Sequence, residues 1–156
     1  MARTTPATLA LQKAGVAFTL HAYAYDPDAP RIGLHAAERL GVDPAQVLKT
    51  LMAEVDGKPV CVVLASDREV AMKRLAAAVG GKSAQMMKPA DAERITGYHV
   101  GGVSPFGQKR RAPTVLDAAA LVHERVFVNA GQRGLQAELA PADLASALGA
   151  VLAEVS

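Results

Sequence analysis

Two apolar segments on either side of Asp56-Gly57 constrain the fold of this chain more than any other feature of its sequence. The segments cover residues 51–55 and 60–65, and both have the length of a β-strand. Asp-Gly is the strongest short-range signal for a hairpin turn, because its two residues tolerate the positive φ angles that the tightest turns require. We therefore predict that residues 51–65 form an antiparallel hairpin.

The composition indicates a folded chain and excludes several classes of protein. The 156 residues are 51% hydrophobic and 21% charged, which is too apolar for intrinsic disorder, and this length predicts a single domain over residues 1–156. One cysteine excludes a disulfide framework. The formal charge of +2 is too small for strong non-specific binding to nucleic acid, so any basic surface must be local. An aromatic share of 4%, without tryptophan, argues against a sheet that stacks several bases.

Two observations bear on where the protein works. No segment approaches the roughly 20 consecutive apolar residues of a membrane helix. Residues 1–6 lead straight into a helical pattern, without the charged and apolar regions of a secretory signal peptide. We therefore expect a soluble, cytoplasmic protein that does not bind membranes.

The rest of the chain consists of short helical and short extended patterns. Their order lacks the strict alternation of strand and helix found in parallel α/β folds, which favours an α+β domain. Ser66-Asp67 is predicted to cap the third helix. The apolar stripe predicted for the C-terminal helix consists of Leu144, Leu148, Val151 and Leu152. The predicted helices cover residues 6–14, 33–40, 67–79, 89–95 and the tail from 141, and the predicted strands outside the hairpin cover residues 16–25, 114–116, 125–129 and 135–139.

Residues 97–113 form a long segment without periodicity, rich in glycine, proline and basic residues. Long ordered loops are usually functional. The adjacent Gly101 and Gly102 would let backbone N–H groups approach an oxyanion or a ribose oxygen, although a tight structural turn explains them equally well. Three consecutive cations follow, which would suit a phosphate backbone or form a solvated charge run: Lys109, Arg110 and Arg111.

Two further features could contribute to a site. Lys49 stands where the chain is predicted to enter the hairpin, so its stem can pack on the core while its ammonium group reaches a phosphate or carboxylate. An ordinary solvated lysine is the alternative. In the strand predicted over residues 16–25, His21, Tyr23 and Tyr25 share one face, which fits either stacking on a base or packing across strands.

Common catalytic and metal-binding patterns are absent. The sequence contains no nucleophile elbow, zinc-protease motif, P-loop or dinucleotide-binding loop. Cys61 lies within an apolar segment, which favours a buried structural thiol over a nucleophile. No partners at metal-ligand spacing accompany His35, His99 and His123, so we expect neither a metal nor another cofactor.

Two segments carry a resemblance to a known family. They are Lys49-Thr-Leu51 and, above all, residues 96–114, Thr-Gly-Tyr-His-Val-Gly-Gly-Val-Ser-Pro-Phe-Gly-Gln-Lys-Arg-Arg-Ala-Pro-Thr. The chain resembles the YbaK/EbsC family of bacterial Cys-tRNA(Pro)/Cys-tRNA(Cys) deacylases, which are relatives of the editing domain inserted in bacterial prolyl-tRNA synthetase. The similarity extends through residues 21–27 and 131–139 and so covers nearly the whole chain.

This resemblance implies a fold and a site. The fold is a mixed, barrel-like β-sheet surrounded by short helices, with a cleft for the 3′-terminal adenosine of a mischarged tRNA and its aminoacyl ester. Lys49 matches the lysine that the family places at the terminal phosphate. Gly101, Gly102 and Pro105 match the loop whose backbone surrounds the reacting ester. Further positions that the resemblance places in the substrate pocket are Tyr23, Ile32, Thr50, Ser104, Asn129 and Gln136.

Three positions depart from the family pattern. Gln136 stands where an aspartate is often found, Asn129 where a serine is frequent, and Tyr25 where a histidine is common. The first two would lie near the amino acid or the ribose of the substrate. The departures therefore bear on the amino-acid preference rather than on the fold.

The function implied by the resemblance is trans-editing, in which mischarged Cys-tRNA(Pro) is cleared by cleavage of its aminoacyl ester. Such an ester is already activated, so its cleavage needs positioning and charge stabilisation more than a dedicated nucleophile. In the resembling family the thiol of the substrate attacks, and an ordered water is the alternative for other amino acids. Two other functions stay open: deacylation of Ala- or Ser-charged tRNA, and a non-catalytic module that binds tRNA ends or a synthetase. The expected partners are the 3′ end of tRNA(Pro) and, transiently, prolyl-tRNA synthetase, with the chain itself monomeric.

Overall fold

The computed structural model describes residues 4–28 and 32–156, which form two β-sheets with short helices packed around them. The helices are α1 (Pro6–Lys13), α2 (Ile32–Leu40), α3 (Met72–Ala78), α4 (Pro89–Thr96) and α5 (Pro141–Leu148), with 3-10 turns at Pro44–Gln46 and Ala118–Val122. The strands are β1 (Thr19–Ala22), β2 (Leu48–Val55), β3 (Lys58–Ala65), β4 (Ala84–Met86), β5 (Thr114–Asp117), β6 (Val126–Asn129), β7 (Leu135–Leu139) and β8 (Val151–Ala153).

The predicted hairpin is confirmed, and it is longer than the apolar pattern suggested. β2 and β3 pair antiparallel over the full eight residues of each strand. Asp56 and Gly57 form the turn with φ angles of 51° and 80°. The Asp56 carboxylate accepts hydrogen bonds from the backbone N–H groups of Lys82 and Ser83, at 3.1 and 3.0 Å. These bonds tie the turn to the segment that leads into β4.

The α+β class and the mixed sheet predicted from the sequence are confirmed. One sheet has the strand order β4-β2-β3-β5-β8, with parallel pairing of β3 with β5 and of β5 with β8. The other sheet is antiparallel, with the order β1-β7-β6. A single bridge between Val47 and Phe127 connects the two. Within the described residues the strands therefore form two adjoining sheets and do not close into a barrel.

Alternating residues of β3 fill two separate parts of the core. Cys61 and Val63 are fully buried in a cluster shared with α1, α4 and the three-stranded sheet. Val62 and Leu64 are fully buried on the opposite face, where they pack with Leu75 of α3. Because successive side chains of a strand point to opposite faces, a strand covered on both faces is apolar throughout. This explains the continuous apolar run that the sequence shows here.

Cys61 is expected to be unreactive in the native protein. Burial raises the pKa of its thiol to about 12, and the thiolate is the form that attacks disulfide reagents. At pH 8 we expect no labelling of the folded protein by a thiol-reactive disulfide such as DTNB, and stoichiometric labelling after unfolding in guanidinium chloride. Stoichiometric labelling before any loss of circular dichroism would contradict this placement of the thiol.

The prediction for the start of the third helix is wrong. α3 begins at Met72, and its N-cap position is Ala71, whose backbone N–H donates to the Val155 carbonyl oxygen at 2.6 Å. Ser66 does not cap a helix, because its backbone N–H and its hydroxyl both donate to the Val47 carbonyl oxygen. Ser66 thus continues the pairing of the hairpin beyond the first residue of β2 and the last residue of β3.

The predicted C-terminal helix is too long by its last turn. α5 ends at Leu148, because Gly149 adopts the left-handed conformation with φ 59° that terminates many helices. Val151 and Leu152 belong to β8 instead, which adds in parallel to the edge of β5. Helical periodicity placed these residues on the stripe of Leu144, but the open sheet edge decides their structure.

The other predicted elements are confirmed, with small changes at their ends. Thr5 caps α1, and its side chain and that of Thr8 exchange hydrogen bonds with each other's backbone N–H groups. Gly97 ends α4 in the left-handed conformation. Only residues 19–22 of the strand predicted over residues 16–25 pair as β1, although the Tyr23 N–H still donates to the Gly134 carbonyl oxygen. In the described part of the chain, no helix has the length and apolar character needed to span a membrane.

Candidate active site

A cavity of about 730 Å³ opens where the two sheets adjoin. One wall is formed by residues 47–52, which are the first part of β2 and the residue before it, and the opposite wall contains Asn129 of β6 and Gln136 of β7. The loop after α4 closes one side with Val100, Gly101 and Val103. The remaining wall residues come from α2, the turn after β3, and the segment from the end of β4 into α4: Leu34, Ser66, Asp67, Arg68, Glu69, Met86, Met87, Pro89 and Ala92.

Five residues that the sequence assigned to a site line this cavity together. They come from parts of the chain up to 87 positions apart, and they are Lys49, Thr50, Gly101, Asn129 and Gln136. Lys49 and Gly101 were predicted from sequence features of their own, whereas Thr50, Asn129 and Gln136 were placed in the pocket by the family resemblance. Their convergence on one cavity supports a common site, whereas their individual roles stay predictions.

Lys49 lies at the end of the cavity where the hairpin meets the turn after β3. Its backbone is fixed by pairing with Leu64, and its side chain is half-buried. The Nζ atom lies 3.5 Å from the Ser66 carbonyl oxygen. The exposed Arg68 lines the same end, so this end of the cavity carries two cations, together with the carboxylates of Asp67 and Glu69.

The glycine-proline loop is held in place from the three-stranded sheet. The Asn129 side-chain amide donates to the Gly101 carbonyl oxygen at 3.3 Å and to the Gln132 carbonyl oxygen at 3.2 Å. The Arg133 guanidinium donates twice to the Val100 carbonyl oxygen, at 2.9 and 2.8 Å, and lies over the Tyr25 ring at 5.5 Å from its centroid. Asn129 and Arg133 therefore position the loop.

A second set of contacts holds the loop from α4. The Glu93 carboxylate accepts a hydrogen bond from the Val100 N–H at 2.8 Å, and this bond, more than the neighbouring His99, holds the pKa of Glu93 below its usual value. Tyr98 is buried and its hydroxyl donates to the Phe106 carbonyl oxygen, while burial raises its pKa to about 12. The loop is thus fixed at both ends.

The two adjacent glycines differ in what their N–H groups can do. The Gly102 N–H donates to the His99 carbonyl oxygen at 2.8 Å, which closes a tight turn. The Gly101 N–H has no such acceptor within the described residues. Of the two amides predicted to face an oxyanion, only that of Gly101 is available without breaking a turn.

Three buried polar atoms, two of them in residues of the cavity wall, have no hydrogen-bond partner among the described residues. They are the Tyr23 hydroxyl, the Thr50 hydroxyl and the Gln136 side-chain carbonyl oxygen. Burial raises the pKa of Tyr23, and the nearby Gln136 amide opposes part of that rise, yet no hydrogen bond of normal geometry joins the two groups. Buried polar atoms without partners are rare in native proteins, and a ligand is one reason for them.

Ser104 and Pro105, which the resemblance assigned to the site, are not among the residues that line the cavity. Ser104 is fully buried, where its hydroxyl accepts a hydrogen bond from the Phe106 N–H and its carbonyl oxygen accepts one from the Gln108 side chain. Pro105 is buried beside it. The side chain of Ile32 lies outside the described residues. The substrate contacts assigned to these three residues stay predictions.

The basic residues after the loop lie elsewhere. Arg110 and Arg111 line a second cavity of about 490 Å³, together with Lys58 and the hairpin turn. The Lys109 side chain is exposed, and its backbone N–H donates to the Thr96 carbonyl oxygen. Sequence proximity to the glycine loop suggested one site, but the chain turns away after Gln108.

Sequence reasoning missed Arg133, Met86 and Met87. Arg133 follows a Gly-Gln pair in the segment over residues 131–139, and nothing in that pattern indicates its contact with Val100. Met86 is the last residue of the short strand β4 and Met87 follows it, and the sequence analysis did not predict this strand. No group of three potential metal ligands occurs among the residues that the structure describes.

Comparison with known proteins places the chain among editing domains. The family described as "aminoacyl-tRNA editing domain" matches residues 27–147. EbsC of Enterococcus faecalis, named as a candidate Cys-tRNA(Pro)/Cys-tRNA(Cys) deacylase, is 39% identical over 122 residues, which are 77% of this chain and 74% of EbsC. A proline–tRNA ligase of Acidithiobacillus ferrooxidans is 32% identical over 85 residues, which are 54% of this chain and 15% of the ligase.

Solved structures agree on the fold. The crystal structure of a candidate trans-editing enzyme for prolyl-tRNA synthetase has a TM-score of 0.82 at 21% identity, over 99% of both chains. The hypothetical protein APE2540 has a TM-score of 0.84 at 26% identity, over 97% of this chain and 99% of that one. The family match spans most of the chain and includes both Lys49 and the glycine-proline loop. The resemblance seen in the sequence is therefore confirmed, and this protein belongs to the aminoacyl-tRNA editing domain family.

Proposed function

We propose that this protein is an aminoacyl-tRNA deacylase that clears mischarged Cys-tRNA(Pro) by cleaving the ester at the tRNA 3′ end. The observation that carries the proposal is the convergence of Lys49, Gly101 and Gln136 on one cavity in a member of the editing family. The relative EbsC carries the same substrate in its name. The volume of about 730 Å³ lies within the roughly 300–1,000 Å³ typical of small-molecule sites, which fits a terminal nucleoside with its aminoacyl group.

The two ends of the cavity suit the two ends of such a substrate. At one end, Lys49 supplies a positive charge on a half-buried stem, which suits the phosphate of the terminal nucleotide. At the other, the Gly101 N–H would donate to the oxygen on which negative charge develops when the ester carbonyl is attacked. The substrate would thus extend from the hairpin to the glycine-proline loop.

The attacking group would come from the substrate or from water. Among the described wall residues there is no cysteine or histidine that could serve as a nucleophile or general base. When the cysteinyl thiol attacks its own ester carbonyl, a C–S bond forms, the C–O bond to the ribose breaks, and the thiol proton passes to the departing ribose oxygen. Cysteine then leaves as a thiolactone. For amino acids without a thiol, a water molecule would attack instead.

The amino-acid preference distinguishes the proposal from its nearest alternative, which is clearance of Ala- or Ser-charged tRNA. These side chains differ from cysteine by one or two atoms, and such a difference is worth about 1–3 kcal/mol in an apolar pocket. We expect cysteine to be preferred over alanine and serine, with measurable activity on both. Deacylation rates of Cys-, Ala- and Ser-tRNA(Pro) by the purified protein decide this order. Binding of all three without clearance would favour a non-catalytic module.

We further propose that Arg110 and Arg111 bind tRNA phosphates away from the 3′ end. They lie with Lys58 at the turn of the hairpin, whereas Lys49 lies near the opposite end of β2. At about 3.3 Å per residue, the two ends of β2 are about 20 Å apart. The single-stranded 3′ end of a tRNA can span such a distance. The basic cavity would then contact the backbone nearer to the acceptor stem.

Replacement of both arginines by glutamine is expected to weaken binding of the tRNA without changing the chemistry. Removal of each phosphate contact should reduce the slope of log(kcat/KM) against log[salt] by about 1 for full-length Cys-tRNA(Pro). Cleavage of a cysteinyl CCA trinucleotide, which is too short to reach the cavity, should be unchanged. The exposed Arg39 offers a matched control when it is replaced by glutamine. An equal reduction of kcat/KM for both substrates would contradict a phosphate-binding role.

The segment shared with proline–tRNA ligases suggests how the tRNA is selected. A chain with a formal charge of +2 and a local basic cavity has few contacts with which to recognise one tRNA. We propose that prolyl-tRNA synthetase supplies this selection through a transient complex. Faster clearance of Cys-tRNA(Pro) in the presence of the synthetase, at equal enzyme concentration, would support this association.

A further inference from the structure

The Gln136 side chain offers a buried acceptor that no described residue uses. The residue is only 5% exposed, and its side-chain oxygen Oε1 has no hydrogen-bond donor within the described residues. Gln136 lies on the central strand β7, where it pairs with His21 on one side and Asn129 on the other. Side chains of directly opposed residues lie on the same face of a sheet, so the three form one polar row beside the cavity.

The neighbours of Gln136 in this row have partners inside the protein. His21 Nε2 lies 2.7 Å from the Glu138 carboxylate. The Asn129 amide uses both ends, since its nitrogen donates to the backbone at residues 101 and 132 and its oxygen accepts from the backbone at residues 131 and 132. These bonds hold the sheet and the loop. The Gln136 oxygen takes part in none of them, and Gln136 is one of the residues that line the cavity.

We expect a bound ligand to donate a hydrogen bond to this unpartnered oxygen. A buried acceptor without a hydrogen bond is costly, and an amide oxygen can only accept. The hydroxyl groups of Tyr23 and Thr50, the other two unpartnered atoms, can donate or accept and so specify less. The oxygen of Gln136 therefore restricts the ligand most, because only a hydrogen-bond donor can satisfy it.

We propose that Gln136 Oε1 accepts a hydrogen bond from the α-ammonium group of the aminoacyl ester, which makes a free α-amino group a requirement of the substrate. This inference rests on the proposed deacylase function. The α-ammonium is the charged donor common to all primary aminoacyl esters, and hydrogen bonds to charged groups are the stronger ones. It is attached one carbon from the ester carbonyl. Asn129, next to Gln136 in the row, also holds Gly101, so the proposed carbonyl and ammonium contacts lie side by side.

A matched pair of esters on the same tRNA tests the contact. Cysteinyl-tRNA(Pro) and 3-mercaptopropionyl-tRNA(Pro) share the thiol and the carbon chain, and only the first has an α-ammonium group. The preference for the cysteinyl ester, as a ratio of kcat/KM values, is compared between the wild type and Gln136→Leu. Differences in the intrinsic reactivity of the two esters cancel in that comparison.

We expect Gln136→Leu to reduce the cysteinyl preference by about 10- to 100-fold, mainly through slower cysteinyl clearance. Clearance of the mercaptopropionyl ester should change by less than about threefold on the same reasoning. Gln136→Glu, which keeps an acceptor and adds charge, should retain the preference and so excludes a merely structural effect. An equal preference in wild type and Gln136→Leu would overturn the contact and point to the ribose hydroxyl as the donor. Clearance of neither ester by the wild type would instead overturn the deacylase function itself.

Discussion

Replacement of Lys49 by methionine is expected to lower kcat/KM for Cys-tRNA(Pro) by about 10- to 150-fold, because a charge-assisted hydrogen bond contributes about 1.5–3 kcal/mol. Methionine keeps most of the apolar stem, which is half-buried in β2, and removes only the ammonium group. The hairpin pairing of Lys49 with Leu64 is made by the backbone and should persist. Deacylation of radiolabelled Cys-tRNA(Pro) under kcat/KM conditions measures the loss, and circular dichroism confirms the fold.

Two further variants show whether the loss of activity comes from the ammonium group of Lys49. Lys73→Met removes an exposed lysine from α3 and should leave the rate unchanged. Lys49→Arg retains the charge but changes its geometry, so we expect activity between that of the wild type and that of Lys49→Met. Near-normal kcat/KM in a folded Lys49→Met protein would contradict the assignment of this residue to the terminal phosphate.

Gly101→Ala is expected to reduce deacylation by about 100-fold or more. The residue has a φ angle of 91°, and a β-carbon there would lie 2.7 Å from the Tyr25 hydroxyl oxygen. Either the Tyr25 side chain or the loop would have to shift, the positive φ angle adds strain in the loop itself, and a displacement of about 1 Å at a reacting group can cost about 100-fold in rate. The assay is single-turnover cleavage with enzyme in excess, which separates the chemical step from release of the tRNA.

A second glycine separates this effect from simple backbone strain. Gly15 also has a positive φ angle, of 71°, but a β-carbon there would meet no atom within 4 Å. Gly15→Ala should therefore lower the free energy of unfolding by about 1–3 kcal/mol and leave the rate unchanged. Tyr25→Phe combined with Gly101→Ala removes the clashing oxygen and should recover part of the rate. Full activity of Gly101→Ala alone would exclude the loop backbone from the reaction.

Much of the fold could be predicted because local chemistry and tertiary packing agree. The Asp-Gly turn, the threonine cap of α1 and the left-handed Gly97 after α4 each specify their conformation locally. The wrong predictions concern residues whose structure is determined by contacts with distant parts of the chain. The Ser66 hydroxyl is bound by Val47 of the neighbouring segment, and residues 151–153 pair with an open sheet edge that lies 35 or more positions earlier. Neither contact is indicated by the residues that lie next to it in the sequence.

The candidate site likewise contains some residues that local motifs reveal and others that only tertiary contacts bring together. Lys49 and the glycine-proline loop could be found from motifs, because charge and glycine spacing are visible in the sequence. The row of His21, Gln136 and Asn129 depends on strand register, which the sequence did not specify. Arg110 follows the loop directly but is carried to the far end of the hairpin, because its backbone N–H donates to Ile95 and β5 then pairs with β3. Proximity in sequence was therefore a poor guide to proximity in the site.

The most direct test of the proposed function is single-turnover clearance of Cys-tRNA(Pro) compared with correctly charged Pro-tRNA(Pro). An editing enzyme must remove the first and spare the second, since clearance of both would only waste charged tRNA. We predict rapid loss of the cysteinyl ester, well above its spontaneous hydrolysis, and no acceleration for the prolyl ester. Spontaneous rates for both esters at saturating enzyme would contradict the assignment of this cavity as an editing site.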